Sequence, residues 1–229
     1  MLRTQEYNII REILGWYDEY GRDFPWRHTE APYKVMIAEF MLQRTKAEQV
    51  LPVYSQFIEK YPDVESLALA EPEQIKDVTK HLGLHRRASQ FLESARFVVE
   101  TFNGQFPDNE ELLRKIPGVG EYISRAILAV CFNKSSNPVD SNIARFINRF
   151  YFLNLTGEIR RKKIILEKAT ELFQCDQPGI FLFAIVDFTT FICKPTKPLC
   201  SDCPISSDCR YDELSQKVRD GETRLSHKE

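Results

Sequence analysis

Residues 112–130 read LLRKIPGVGEYISRAILAV, and this stretch decides the fold. It reads as helix, then Pro117-Gly118-Val119-Gly120, then helix. Two glycines two apart allow a tight turn with positive φ and keep side chains out of the way. Backbone N–H groups at such a turn, beside a helix N-terminus, form a natural phosphate site. The pattern is a helix-hairpin-helix. Its expected work is sequence-independent contact with duplex phosphates through Gly118, Val119 and Gly120. A plain helix–helix connection has the same local appearance.

Outward from the hairpin, helical periodicity dominates. Residues 4–20 place Ile9, Ile10, Ile13 and Leu14 with helical spacing, and Gly21 stops them. Residues 23–34 (DFPWRHTEAPYK) read as an irregular loop, with Pro32 suited to the first turn of the next helix. Residues 33–43 form an apolar helix carrying one carboxylate, Glu39. Thr45 is placed to cap a helix running to about Lys60. Shorter helices are expected near 64–70 and 72–79, and a long amphipathic one over 86–102. Asp108 is placed to cap 109–114, and Ser141 a helix to about Phe152. Helices over 158–174 and 179–192 complete the chain. Strand alternation and Asn-Gly or Asp-Gly turns are scarce, so the fold class is all-α.

The 229 residues suffice for one domain or two lobes. A formal charge of −2 means that binding to a polyanion must use a local basic patch. No apolar run approaches the ~20 residues of a membrane span. The N-terminus lacks the pattern of a signal peptide, so a cytoplasmic, nucleoid-associated location of prokaryotic type is expected. Cys193, Cys200, Cys203 and Cys209 follow the spacing C-x6-C-x2-C-x5-C. Disulfides are disfavoured in a reducing compartment. Four thiolates within 17 residues suit either zinc or an iron–sulfur centre. Beyond the hairpin, Asp140 follows Val139 and opens a helix. It is either a helix-terminal partner or a buried charge with chemical work, and Asn142 is near enough on the chain to share its pocket.

The chain resembles the helix-hairpin-helix superfamily of DNA glycosylases, in the branch of endonuclease III and the adenine glycosylase MutY. The resemblance rests on FPWR (24–27), PYKVMIAEFMLQRT (32–45), IPGVGEYISRAILAV (116–130), VDSNIARF (139–146), FAIVDFTTFIC (183–193) and the cysteine spacing. It implies two helical lobes. One spans 23–133, with the helix-hairpin-helix at about 109–131. The other joins 1–22 to 134–229, with a [4Fe–4S] cluster loop at 193–209 held by Cys193, Cys200, Cys203 and Cys209. It implies a monomer on duplex DNA that flips a mispaired or damaged nucleotide into a pocket between the lobes and hydrolyses the N-glycosidic bond. Asp140 matches the family's catalytic aspartate, which stabilises positive charge on the sugar, with Asn142 beside it. Glu39 matches the glutamate of MutY-like enzymes, where a buried carboxyl with a raised pKa donates a proton to the base. Bifunctional members carry a lysine where this chain has Tyr122. A phenol forms no Schiff base, so little or no AP-lyase activity is expected.

The resemblance is nearest to the short thymine/uracil mismatch glycosylases. MutY has a Gly-Tyr-Tyr sequence that probes the duplex where this chain has Gly83-Leu84-His85. The second domain by which MutY reads 8-oxoguanine has no counterpart in the 20 residues after Cys209. A wobble T·G or U·G pair also costs less to open. Thymine or uracil opposite guanine is therefore the expected target. An adenine glycosylase without its reader, and a non-catalytic iron–sulfur DNA-binding protein, are the alternatives. Gln43 and Arg44 match residues that fill the gap left by the flipped base and contact the orphaned guanine. His85 and Arg86, with Arg87, Lys194, Lys197 and Arg210, are expected along the phosphate backbone.

Overall fold

The computed structural model describes residues 4–83 and 88–211, and among these the only regular secondary structure is helical. The α-helices run α1 Thr4–Tyr20, α2 Pro32–Leu42, α3 Ala47–Lys60, α4 Val64–Ala68, α5 Pro72–Thr79, α6 Ala88–Phe102, α7 Glu110–Leu113, α8 Glu121–Phe132, α9 Ser141–Phe150, α10 Lys163–Phe173 and α11 Pro178–Phe191. The chain divides into two compact units, residues 1–22 with 135–229, and residues 23–134. No described helix is long and apolar enough to cross a membrane.

In the unit of residues 23–134, α2 is the central helix. Tyr33, Val35, Met36, Ile37, Ala38, Phe40 and Met41 are all buried, so it is apolar around nearly its whole circumference. Pro32 sits at its first turn, where a missing N–H costs nothing. Residues 23–34 are more ordered than a loop. Pro25–Arg27 make a 3-10 turn, and Phe24 stacks on Trp26 with ring centroids 4.7 Å apart. Trp26 in turn meets Tyr54 edge-on at 5.1 Å.

The other unit is built on α11, whose fully buried Phe181, Leu182, Ile185 and Phe188 face α1 and α9. Trp16 of α1 packs edge-on against Phe188, with centroids 5.5 Å apart. Asp187 is fully buried on α11 and answered by Arg22. It accepts hydrogen bonds from the Arg22 backbone N–H at 2.8 Å and from Nε and Nη2 at 2.9 and 2.7 Å. A carboxylate out of water is tolerated only with such pairing.

Three expected caps are displaced. The hydroxyl of Thr45 turns back to Gln43 O at 3.5 Å, and α3 starts after Lys46 with no side-chain cap. Arg44, at φ 62, spends these residues on a turn. Asn109, not Asp108, caps α7 by accepting from Leu112 N–H at 3.0 Å. Asp108 pairs with Lys134 at 2.8 Å instead, which lowers its pKa. Asp140, not Ser141, caps α9. The helix expected from 158 begins only at Lys163. Glu158 is taken by Arg160, whose hydrogen bonds hold its carboxyl down to about 2.

Candidate functional site

In the unit of residues 23–134, Glu39 is half-buried, an acidic residue among the buried side chains of α2. Gln43 and Arg44 follow directly, both exposed. Arg44 takes the left-handed conformation that non-glycine residues adopt only at a cost.

The hairpin joins α7 to α8. Gly118 has φ 80, a conformation that favours glycine, and a Cβ there would lie 2.0 Å from Gln90 Nε2, so the Gln90 side chain would have to move aside. Gly120 differs from the sequence expectation. Its φ is −87 and a Cβ would meet nothing within 4 Å, so what it contributes is open space. As N-cap of α8 it offers no side-chain acceptor to the first turn. Val119 is core: it is 4% exposed and its N–H donates to Ile116 O at 3.0 Å. The fully buried Ser94 of α6 ties the turn down, with its hydroxyl 2.7 Å from Pro117 O and 2.5 Å from Gln90 O. Tyr122 sits half-buried in the first turn of α8, against the core of this unit. Gly118→Ala is expected to lower stability by about 1–3 kcal/mol and to weaken binding of undamaged duplex. Thermal melting and fluorescence anisotropy check this.

In the other unit, Asp140 is half-buried and, of its two sequence readings, takes that of helix-terminal partner. As N-cap it accepts hydrogen bonds through Oδ1 from Asn142 N–H at 2.9 Å and Ile143 N–H at 2.7 Å. Its Oδ2 accepts from Asn142 Nδ2 at 2.9 Å. Asn142 Oδ1 in turn accepts from Arg145 Nη1 at 2.8 Å. Arginine only donates, so this bond fixes which end of the Asn142 amide faces Asp140. Arg145 Nη2 reaches Thr189 O and Cys193 O, at 2.9 and 3.0 Å, at the end of α11. Burial, ahead of the nearby charges, pushes its pKa down from the ordinary value.

The relay therefore runs from Asp140 to the first cysteine of the C-terminal loop. The i+3 spacing of Asn142 and Arg145 on α9 is visible in the sequence, but the carbonyls that Arg145 reaches are set by the fold alone. One turn further, Arg149 donates to Lys194 O at 2.5 Å and Pro195 O at 2.7 Å, and its Nη1 lies 3.7 Å from Cys193 Sγ.

No disulfide joins any of the six cysteines. Cys193, Cys200, Cys203 and Cys209 line one solvent-connected cavity, whose other walls include Phe146, Phe188 and Ile205. Burial, with the other three thiols nearby, pushes Cys203 up to about 12. Among the described residues, no three His, Cys, Asp or Glu side chains are grouped so as to hold a metal ion. Soft thiolates sharing one cavity suit zinc and an iron–sulfur centre alike. Lys197 and Arg210 are exposed beside the cavity and Lys194 is half-buried. His85, Arg86 and Arg87 lie outside the described residues.

Residues 37–175 match the family described as HhH-GPD superfamily base excision DNA repair protein. The chain belongs to this superfamily. The match takes in Glu39, the hairpin, Tyr122, Asp140 and Asn142, and stops short of the four cysteines. A thymine/uracil-DNA glycosylase of Methanothermobacter thermautotrophicus is 35% identical over 206 residues, which cover 90% of this chain and 93% of that protein. An adenine DNA glycosylase of Buchnera aphidicola subsp. Baizongia pistaciae (strain Bp) is 33% identical over 205 residues, covering 88% of this chain and 58% of that protein. Among solved structures, a thermostable thymine-DNA glycosylase superposes with a TM-score of 0.85 at 34% identity, covering 92% of this chain and 97% of its own. The HhH-GPD chain is thus a DNA repair protein of all-helical fold.

Proposed function

We propose that this chain is a monofunctional DNA glycosylase that removes thymine or uracil paired with guanine. The observation that carries the reading is the likeness to a thymine/uracil-DNA glycosylase over nearly the whole of both chains. Departure of the base leaves positive charge on the sugar, water adds at C1′, and the products are the free base and an abasic site. In this reading the Asp140 carboxylate stabilises that charge. Its orientation supports the role, since three N–H groups hold its two oxygens. Asn142 positions it, and Glu39 supplies a proton to the leaving base. Tyr122 occupies the place of a Schiff-base lysine, so the abasic strand is left intact. Gly118, Val119 and Gly120 form the phosphate-binding hairpin, with the side chain of Val119 as its anchor. Gln43 and Arg44, on their exposed and strained turn, fill the gap in the duplex, and His85 and Arg86 contact its backbone.

Cys193, Cys200, Cys203 and Cys209 would hold a [4Fe–4S] cluster, which would cross-link a loop with little core of its own. The shared cavity supports this.

Single-turnover base release from duplexes carrying T·G, U·G, A·G and A·8-oxoguanine tests the function, with and without alkali. Release at T·G and U·G is expected, with strand breakage only after alkali. Breakage without alkali would refute the absence of lyase activity. The adenine relative motivates the A·G and A·8-oxoguanine duplexes, and release from those alone overturns the thymine/uracil assignment.

A further inference from the structure

We propose that the cationic run Arg160-Arg161-Lys162-Lys163 is a second contact with the DNA backbone, on the flank of the nucleotide that Asp140 serves. This rests on the reading of the chain as a DNA glycosylase. It adds a surface that neither the motifs nor the hairpin supply.

All four side chains are exposed. In a protein of net charge −2 they are a concentrated local excess of positive charge. Their position is electrostatically unfavourable for the folded chain alone. Lys162 is the N-cap of α10 and Lys163 its first residue, so the run crowds the positive end of the helix dipole. The first turn of α10 holds no acidic residue and Lys162 provides no side-chain cap. The available carboxylates form ion pairs only at the two ends, and the Glu158 charge extends to Arg161 without pairing it. Glu158 takes Arg160, and Glu167 reaches Lys163 at 3.6 Å. Among the described residues, Arg161 and Lys162 make no ion pair. An external polyanion resolves this repulsion, and uncapped α10 N–H groups lie beside it.

The placement selects the polyanion. Asn137 donates to Leu166 O at 3.2 Å and Thr170 Oγ1 at 2.8 Å, both on α10. That ties α10 to the segment that enters α9 at Asp140, three residues later. Arg160 is raised chiefly by its hydrogen bond to Glu158, and the Asp140 charge adds to this. The cations therefore belong to the neighbourhood of the carboxylate that acts on a deoxyribose, where phosphates of the same strand must pass.

The test compares the salt dependence of binding to a labelled duplex with a central tetrahydrofuran abasic analogue. Three proteins are used: the unaltered chain, Arg161→Ala/Lys162→Ala/Lys163→Ala, and a charge-matched control, Arg11→Ala/Lys60→Ala/Lys76→Ala. Each released phosphate contact removes about 0.9 from the slope of log K against log salt. The first triple variant is expected to flatten that slope by about two to three and to weaken binding at ~0.1 M salt by at least about tenfold. The control leaves the slope within error, and melting curves verify that both variants fold. Equal slopes for the two triple variants, or weaker binding with an unchanged slope, overturn the proposal. A labelled acidic peptide that competes at the run while the duplex slope stays unchanged overturns it too. Base release by the unaltered chain is scored separately. A flattened slope without base release keeps the surface and removes the glycosylase reading, and base release with equal slopes does the reverse.

Discussion

Asp140→Asn is expected to slow base release by about 10³-fold, with the helical content of the chain retained. Asparagine caps helices about as well as aspartate. Its Oδ1 can go on accepting from the Asn142 and Ile143 N–H groups. What disappears is the negative charge. The substitution also has a second, separable cost. Asp140 Oδ2 accepts from Asn142 Nδ2 while Asn142 Oδ1 accepts from Arg145. An amide at 140 turns its NH2 toward the NH2 of Asn142. Rotating Asn142 only moves the clash to Arg145, which has no acceptor to offer. A loss of about 1–3 kcal/mol is expected from this one mismatch.

The double variant Asp140→Asn/Asn142→Asp separates the two effects. It reverses the polarity, with the new amide donating to a carboxylate at 142 that Arg145 also meets. Folding stability is expected to return toward that of the unaltered chain, while base release stays lost. Thermal melting beside single-turnover kinetics reads both. If the double variant recovers activity together with stability, the charge at 140 is not what the chemistry uses.

That relay shows where the sequence is legible and where it stops. The helices and the glycine turn could be read because apolar spacing and a GVG turn are local signals. Helix starts were less legible, because a cap depends on which residue takes the extended conformation. Asp140 and Ser141 are both good caps, and only the backbone at 140, with φ −95 and ψ −176, decides between them. Val119 reads as part of a surface turn, yet its side chain is what anchors that turn in the core. Gly118 and Gly120 look equivalent on paper, but only the first needs positive φ. The role of Arg145 is not legible in the sequence, because the backbone carbonyls it holds are 44 and 48 residues away. The run 160–163 falls inside the helix that the sequence predicts over 158–174. Its meaning lies in sitting at the positive end of that helix rather than within it.

The C-terminal loop yields the other large expected effect. Of residues 193–209 only Ile205 is buried, and the regular structure is two short 3-10 turns, Cys200–Asp202 and Ser206–Asp208. Ordering a chain costs about 1–2 kcal/mol per residue in backbone entropy. One buried isoleucine returns only about 1.5–3 kcal/mol. Arg149 helps by holding the carbonyls of Lys194 and Pro195, but those lie at the start of the loop only. In the proposed reading, a cross-link through the four thiols would supply the missing stabilisation. The unaltered chain is therefore expected to carry about four irons and four sulfides. Cys203→Ser is expected to lose them, to lower the melting temperature by about 10 °C or more, and to lose duplex binding with the loop. Elemental analysis and melting measure this directly. One zinc per chain, with no iron or sulfide after anaerobic purification, would refute the cluster. An unchanged melting temperature in Cys203→Ser would refute the cross-link itself, because nothing else within residues 193–209 is buried deeply enough to replace it.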